Sequence, residues 1–141
     1  DAVHVLGTRR DVADIYADLD VAVHPSHSEN CGGAVESLAA GCPTVATAVG
    51  GLPDVVRDGE TGWLVPPRDP RRLAEAVVAA LRDRAEGRRR AAAGRALVRR
   101  LFAIERTADE IAELYTRVLA TVTHTHSPAA MLPTGMPACT T

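Results

Sequence analysis

Two carboxylates bracket a glycine pair in the stretch "PSHSENCGGAVESLAAGCPTVAT", residues 25–47. Glu29 and Glu36 have six residues between them, Gly32 and Gly33 among those six. Glycine lowers helix propensity, and acids near a helix start repel an anion bound there, so the arrangement serves something other than helix stability. The chemistry it offers is recognition of a phosphorylated polyol. A helix N-terminus presents unpaired N–H groups and the positive end of its dipole to a phosphate. Gly32 and Gly33 let the backbone come close without Cβ interference. Glu36, one turn into the helix, can accept hydrogen bonds from vicinal hydroxyls, as acidic residues do with ribose, and Glu29 in the loop ahead can take the hydroxyls of a second polyol. Sugar, diphosphate and ribose in a row describe a nucleotide-sugar. The plainer alternative, a solvent-facing Glu36 on a glycine-opened helix, stands beside it.

The elements that must hold these residues read as alternating strands and helices. "VHVLG" (3–7) reads as a buried strand, and residues 9–20 as an amphipathic helix with Val12, Ile15, Tyr16 and Leu19 on one face. "DVAVHPS" (20–26) is a second strand stopped by Pro25, followed by the acidic loop and a helix over 32–40 that ends at Gly41. "PTVATA" (43–48) is a third strand, and "TGWLVPP" (61–67) a fourth, with a turn or short helix at "LPDVVRD" between them. Asp69 before Pro70 is an N-cap with proline at the first helical position, and Leu73, Ala76, Val77, Ala80 and Leu81 line one face behind it. Two more helices follow, 88–101 and 104–122, the last with Ile111, Leu114, Tyr115, Val118, Leu119 and Val122 in one stripe. Alternation of this kind predicts a Rossmann-like, doubly wound α/β fold with a parallel sheet of about four strands, followed by C-terminal helices. Ligands of such sheets bind beyond the carboxyl ends of the strands, where the 25–36 segment falls. Residues 1–122 are expected as one domain, and 123–141, rich in Thr, Pro and Ala without periodicity, as a disordered tail.

Composition narrows the function classes. The chain has 141 residues, 46% hydrophobic and 24% charged, with a net charge of −2, which gives no electrostatic reason to expect nucleic acid or an anionic membrane. No apolar run approaches a membrane span, and three cysteines without C-x-x-C spacing predict neither a disulfide framework nor a zinc site. A cytoplasmic protein with free thiols is expected. All 16 basic residues are arginine. The run "RDRAEGRRRAAAGRALVRR" raises the alternative of a nucleic-acid or partner-binding module. Such runs are normally solvated helix faces, and no aromatics interleave with these arginines. His24 reads as a strand-end residue packing locally, with a catalytic base as the alternative, His27 as either a surface histidine or a contact to a ligand, and Gly50-Gly51 as a tight turn near the cleft. His124 and His126 carry little weight as metal ligands.

The stretch "DVAVHPSHSENCGGAVESLAAGCPTVATAVGGLPDVVRDGETGWLVPPRDPRRLAEAV" resembles the C-terminal, donor-binding domain of family-four glycosyltransferases of GT-B architecture. The likeness runs in order from "VHVLG" to "ELYTRVL" and rests on "HPS", the Glu-flanked glycine loop, "AAGCPTVAT", "VGGLPDVV" and "GETGWLVPP". It implies transfer of a sugar from a nucleoside-diphosphate sugar, with retention of anomeric configuration and without metal or other cofactor. By motif, Glu29 takes the catalytic, sugar-holding role, the backbone of Asn30, Cys31, Gly32, Gly33 and Ala34 holds sugar and phosphate, and Glu36 binds the ribose. Members place one more residue between the two acids, so Glu29 implies a shortened loop; were Ser28 to occupy that position, the role would have no carboxylate. Ala48 stands where an acid or amide is frequent. Members also carry an Arg and a Lys, upstream of anything present here, that neutralise the leaving diphosphate, and this chain has no lysine. The resemblance implies that the acceptor is bound by a missing N-terminal domain, and leaves room for peripheral membrane association through it. On that basis the chain alone is expected to be inactive and poorly stable; an inactive truncated fragment is the remaining alternative.

Overall fold

The structure, a computed structural model, describes residues 2–125. The chain divides into two units, Asp1–Ala103 and Ile104–Thr141. The first unit runs α1 (Val12–Asp18), β1 (Ala22–His24), α2 (Gly32–Ala40), β2 (Thr44–Thr47), α3 (Leu52–Val55), β3 (Trp63–Val65), α4 (Pro70–Arg82) and α5 (Arg84–Leu101). Its three strands pair in parallel in the order β1-β2-β3, with Ala22 opposite Thr44 and Val45 opposite Trp63. The second unit, among the described residues, is the single helix α6 (Ile104–Thr125).

Helices cover both faces of the sheet, which is why β2 is buried at all four positions. Because successive strand residues point to opposite faces, neighbours Val45 and Ala46 enter different cores. Ala46 packs with Ala34 and Leu38 of α2, Leu52 and Val55 of α3, and Val98 of α5. Val45 packs with Trp63, Val65, and Ala76 and Ala80 of α4. Close helix contact on the first face needs small residues: a Cβ on Gly94 of α5 would stand 2.5 Å from Leu38 Cδ2 and 3.2 Å from the Thr61 carbonyl oxygen.

The doubly wound α/β class is as expected, with differences in its parts. The sheet has three strands among the described residues; residues 3–7 form none. Val3, Val5 and Leu6 are 79%, 94% and 58% exposed. An apolar run becomes a strand only when a neighbour accepts its backbone hydrogen bonds, and among the described residues β1 pairs on its β2 side alone. Helix α1 is shorter than 9–20, and α5 starts at Arg84 instead of Arg88. The cause of the earlier start is Asp83, whose carboxylate accepts the Glu86 N–H at 2.9 Å, the local signature Asp-x-x-Glu at an N-cap. Asp69 caps α4 as expected, accepting from the Arg72 N–H at 2.9 Å, whereas Leu81 is 45% exposed instead of facing the core. Helix α6 continues through Thr125, three residues past its expected end. Of the expected disordered tail, residues 126–141 lie outside the described residues. Among the described residues no helix is long and apolar enough to cross a membrane.

Candidate functional site

The acidic loop leaves β1 at its carboxyl end and enters α2 through Cys31, which takes a left-handed conformation at φ 80°. That single reversal swings the chain from strand to helix and leaves α2 without a side-chain cap from Cys31. Asn30 Oδ1 accepts the Gly32 N–H at 3.0 Å, so one of the four unpaired N–H groups of the helix start is satisfied within the loop. Glu29 is held in place by its own loop. Ser26 Oγ donates to Glu29 Oε2 at 3.2 Å and the Asn30 N–H donates to Oε1 at 2.9 Å, which leaves further lone pairs on both oxygens.

Two tethers from β2 fix the loop. Thr47 Oγ1 donates to the carbonyls of Ser26, at 2.7 Å, and His24, at 3.3 Å. Beyond β2, Gly50 lies at φ +52° directly against the Glu29 backbone, and the Gly51 N–H donates to the Glu29 carbonyl at 3.2 Å. The Gly50-Gly51 turn is thus the seat on which the Glu29 peptide rests, more specific than a tight turn near a cleft.

Beneath the helix start lies a buried polar chain. His24 Nε2 meets Ser37 Oγ at 3.2 Å, Ser37 Oγ donates to the Ala34 carbonyl at 3.0 Å and lies 3.0 Å from Thr44 Oγ1, and Thr44 Oγ1 donates to the Cys42 carbonyl at 2.9 Å. Ser37 and Thr44 are fully buried. Burial pushes the His24 pKa below the ordinary histidine value, with Glu29 and Glu36 pulling weakly the other way. Tyr16, on α1, is raised by burial and by the field of Glu36. Burial, followed by the fields of Asp54 and Glu29, raises the Cys31 thiol, so it is no thiolate nucleophile at neutral pH.

Glu36 is exposed and lines a groove of about 530 Å³ between α1 and α2, with Arg10, Val12, Ala13 and Ala39. Glu29 does not line that groove. The two acids converge electrostatically on His24, one from the loop and one from the helix. Asn30, Cys31, Gly32, Gly33 and Ala34 form the turn between them, Gly32 to Ala34 being the first residues of α2. Sequence reasoning missed Tyr16, Ser37 and Thr47. The readable signals were a serine at an apolar position of the 32–40 helix and two threonines in a strand buried on both faces. Among the described residues, no three of His, Cys, Asp and Glu stand together to hold a metal ion.

The arginine run has structural employment in part. Arg90 lies over the Trp63 ring, 4.2 Å from its centroid, donates to the Gly62 carbonyl at 2.9 Å and pairs with Glu86 at 2.7 Å. Arg89 donates to Glu86 and to the Gly59 carbonyl.

A family model described as glycosyl transferases group 1 matches residues 1–83, a span holding both glutamates, the glycine turn and all three strands. The chain belongs to this family. Among group 1 glycosyl transferases and their structural kin, it is 45% identical over 123 residues to a D-inositol 3-phosphate glycosyltransferase of Thermomonospora curvata, covering 86% of this chain and 28% of that protein. Sucrose-phosphate synthase of Thermosynechococcus elongatus superposes with a TM-score of 0.74 at 40% identity, over 79% of this chain and 28% of that one. HepE of Anabaena, in complex with UDP and glucose, superposes with a TM-score of 0.74 at 28% identity, over 79% of this chain and 31% of that one. The chain therefore spans less than a third of the length of each of these relatives.

Proposed function

We propose that this chain is the donor-binding part of an enzyme that transfers a sugar from a nucleoside-diphosphate sugar to an acceptor, retaining anomeric configuration and using no metal. The observation that carries the reading is the glycine-opened start of α2 at the carboxyl end of β1, set between Glu29 and Glu36, in a chain of the group 1 family. In this reading the N–H groups of Gly33 and Ala34, with the helix dipole, hold the diphosphate. Glu36 accepts from the ribose hydroxyls, and Glu29, already oriented by Ser26 and Asn30, accepts from the hydroxyls of the transferred sugar. Favourable contacts to the departing diphosphate grow as its charge develops, so a preorganised helix start lowers the barrier as well as binding the donor.

The UDP bound by HepE supports a uridine nucleotide as donor. The name of the Thermomonospora relative supports a phosphorylated inositol as acceptor, read by the part of the enzyme that this chain does not span. The test is Glu36→Ala in the full-length protein carrying this chain. Donor affinity measured by isothermal titration is expected to fall by about 1–3 kcal/mol through lost hydroxyl contacts. Unchanged affinity removes Glu36 from the site.

A further inference from the structure

Glu29 stands at the end of a relay that begins on β2. Pro25 has no N–H, and the ladder between β1 and β2 ends just before it, with His24 opposite Ala46. From there the Thr47 side chain donates where the backbone cannot: its hydroxyl lies 2.7 Å from the Ser26 carbonyl oxygen and 3.3 Å from that of His24. A hydroxyl has one proton, so the shorter contact is the principal bond. Thr47 is itself held, 5% exposed and paired with Val65 of β3. The interior of the sheet thus sets the Ser26 peptide. The Ser26 hydroxyl, 3.2 Å from Glu29 Oε2, passes that setting to the carboxylate.

The far end of the same segment is pinned by the exit from the same strand. The Gly51 N–H donates to the Glu29 carbonyl at 3.2 Å, and the Asn30 N–H donates to Glu29 Oε1 at 2.9 Å. With one donor on each oxygen, the carboxylate is held in one orientation while lone pairs remain for a ligand hydroxyl. Ordering a glutamate side chain costs conformational entropy, which binding must otherwise offset, and a carboxylate already fixed has met that cost in advance. None of these bonds includes Gly33, Ala34 or Glu36, so the relay bears on one part of the site and not on the other.

We propose that Thr47 is a positioning residue for Glu29, acting through Ser26, and that it sets affinity for the transferred sugar while leaving affinity for the nucleotide unchanged. This rests on the donor-site reading above, in which Glu29 meets the sugar while Glu36 and the start of α2 meet ribose and diphosphate. It adds to that reading a residue of β2 that the acidic loop motif does not include.

The experiment measures binding of UDP and of UDP-glucose by isothermal titration to the full-length protein carrying this chain and to its Thr47→Val, Thr47→Ser, Ser26→Ala and Glu29→Ala variants. Valine keeps the branched shape and cannot donate; serine keeps the hydroxyl. Thr47→Val and Ser26→Ala are each expected to weaken UDP-glucose binding by about 2- to 10-fold, the cost of ordering one freed side chain, with UDP binding unchanged and Thr47→Ser close to wild type. Combined with Glu29→Ala, neither adds a further loss, because the residue they act through is gone. Equal losses for UDP and UDP-glucose show a general loop-holding role and overturn the proposal, as does a Thr47→Val loss that persists in full beside Glu29→Ala. Ser26 is only half-buried, so Ser26→Ala tests the relay even where Thr47→Val does not fold. Wild-type UDP-glucose affinity in either variant overturns it while leaving the donor site standing. A wild-type protein that binds neither ligand, or a Glu29→Ala variant that binds UDP-glucose as wild type does, overturns instead the donor-site reading on which the relay rests.

Discussion

Gly50 shows how one backbone position governs a site it does not belong to by charge. Its φ of +52° is a left-handed conformation that a side chain disfavours, and a Cβ there would be driven into the Glu29 carbonyl oxygen. Gly59 has the same handedness, at φ +76°, but no atom within 4 Å of its would-be Cβ. The pair separates strain from displacement. Gly59→Ala is expected to cost about 1–2 kcal/mol in urea denaturation, the penalty for left-handed alanine. Gly50→Ala is expected to cost about 3 kcal/mol or more, because overpacking adds to it and either the loop or the turn must move. Equal losses at the two positions would show that the Glu29 peptide is not seated on the glycine turn.

Helix α5 is fastened to the sheet by a charged clamp as well as by apolar packing. Glu86, in its first turn, receives Arg89 and Arg90, and Arg90 reaches on to Trp63 and the Gly62 carbonyl. Hydrogen bonds from Arg89 first, then Arg90, hold the Glu86 carboxyl at about 2 against an ordinary 4.5. A folded-state pKa below the unfolded one means that the unfolded chain takes up the proton first as pH falls. The clamp's contribution is therefore complete above about 4.5 and lost as pH falls from there to about 2. Replacing Glu86 with glutamine is expected to flatten the acid limb of a stability-against-pH curve over that window, modestly, since the group is solvent-screened. Wild-type and Glu86→Gln curves that run parallel between those pH values would remove the clamp from the acid response.

At the scale of the molecule, what counts is how much of a parallel-sheet domain three strands make. Among the described residues no strand pairs with the outer edge of β1, and the apolar run 3–7 that could have covered part of it lies exposed. The whole chain has no lysine, so half of the cationic pair that family resemblance assigns to the leaving diphosphate is absent from it. The 141-residue chain by itself is expected to melt over a broad range and to turn over no nucleotide-sugar. Calorimetry and a donor-hydrolysis and transfer assay on the purified chain check this together, and a sharp cooperative melt with turnover would contradict it.

Local chemistry was enough for the sequence to determine the 32–40 helix between its glycines, the Asp69-Pro70 helix start, a strand within 43–48 and the alternation that makes the sheet parallel. Each depends on residues within a few positions of one another. The ordered motifs also determined the family. Tertiary structure alone decided three things. Residues 3–7 are not a strand, because pairing is a property of two segments and, among the described residues, no segment receives them. The Gly50-Gly51 turn carries the Glu29 peptide, because residues some twenty positions apart meet only once β1 and β2 lie side by side. The His24 ring lies 3.2 Å from Ser37 Oγ, with Thr44 on the other side of that serine, because only folding stacks α2 over β1 and β2.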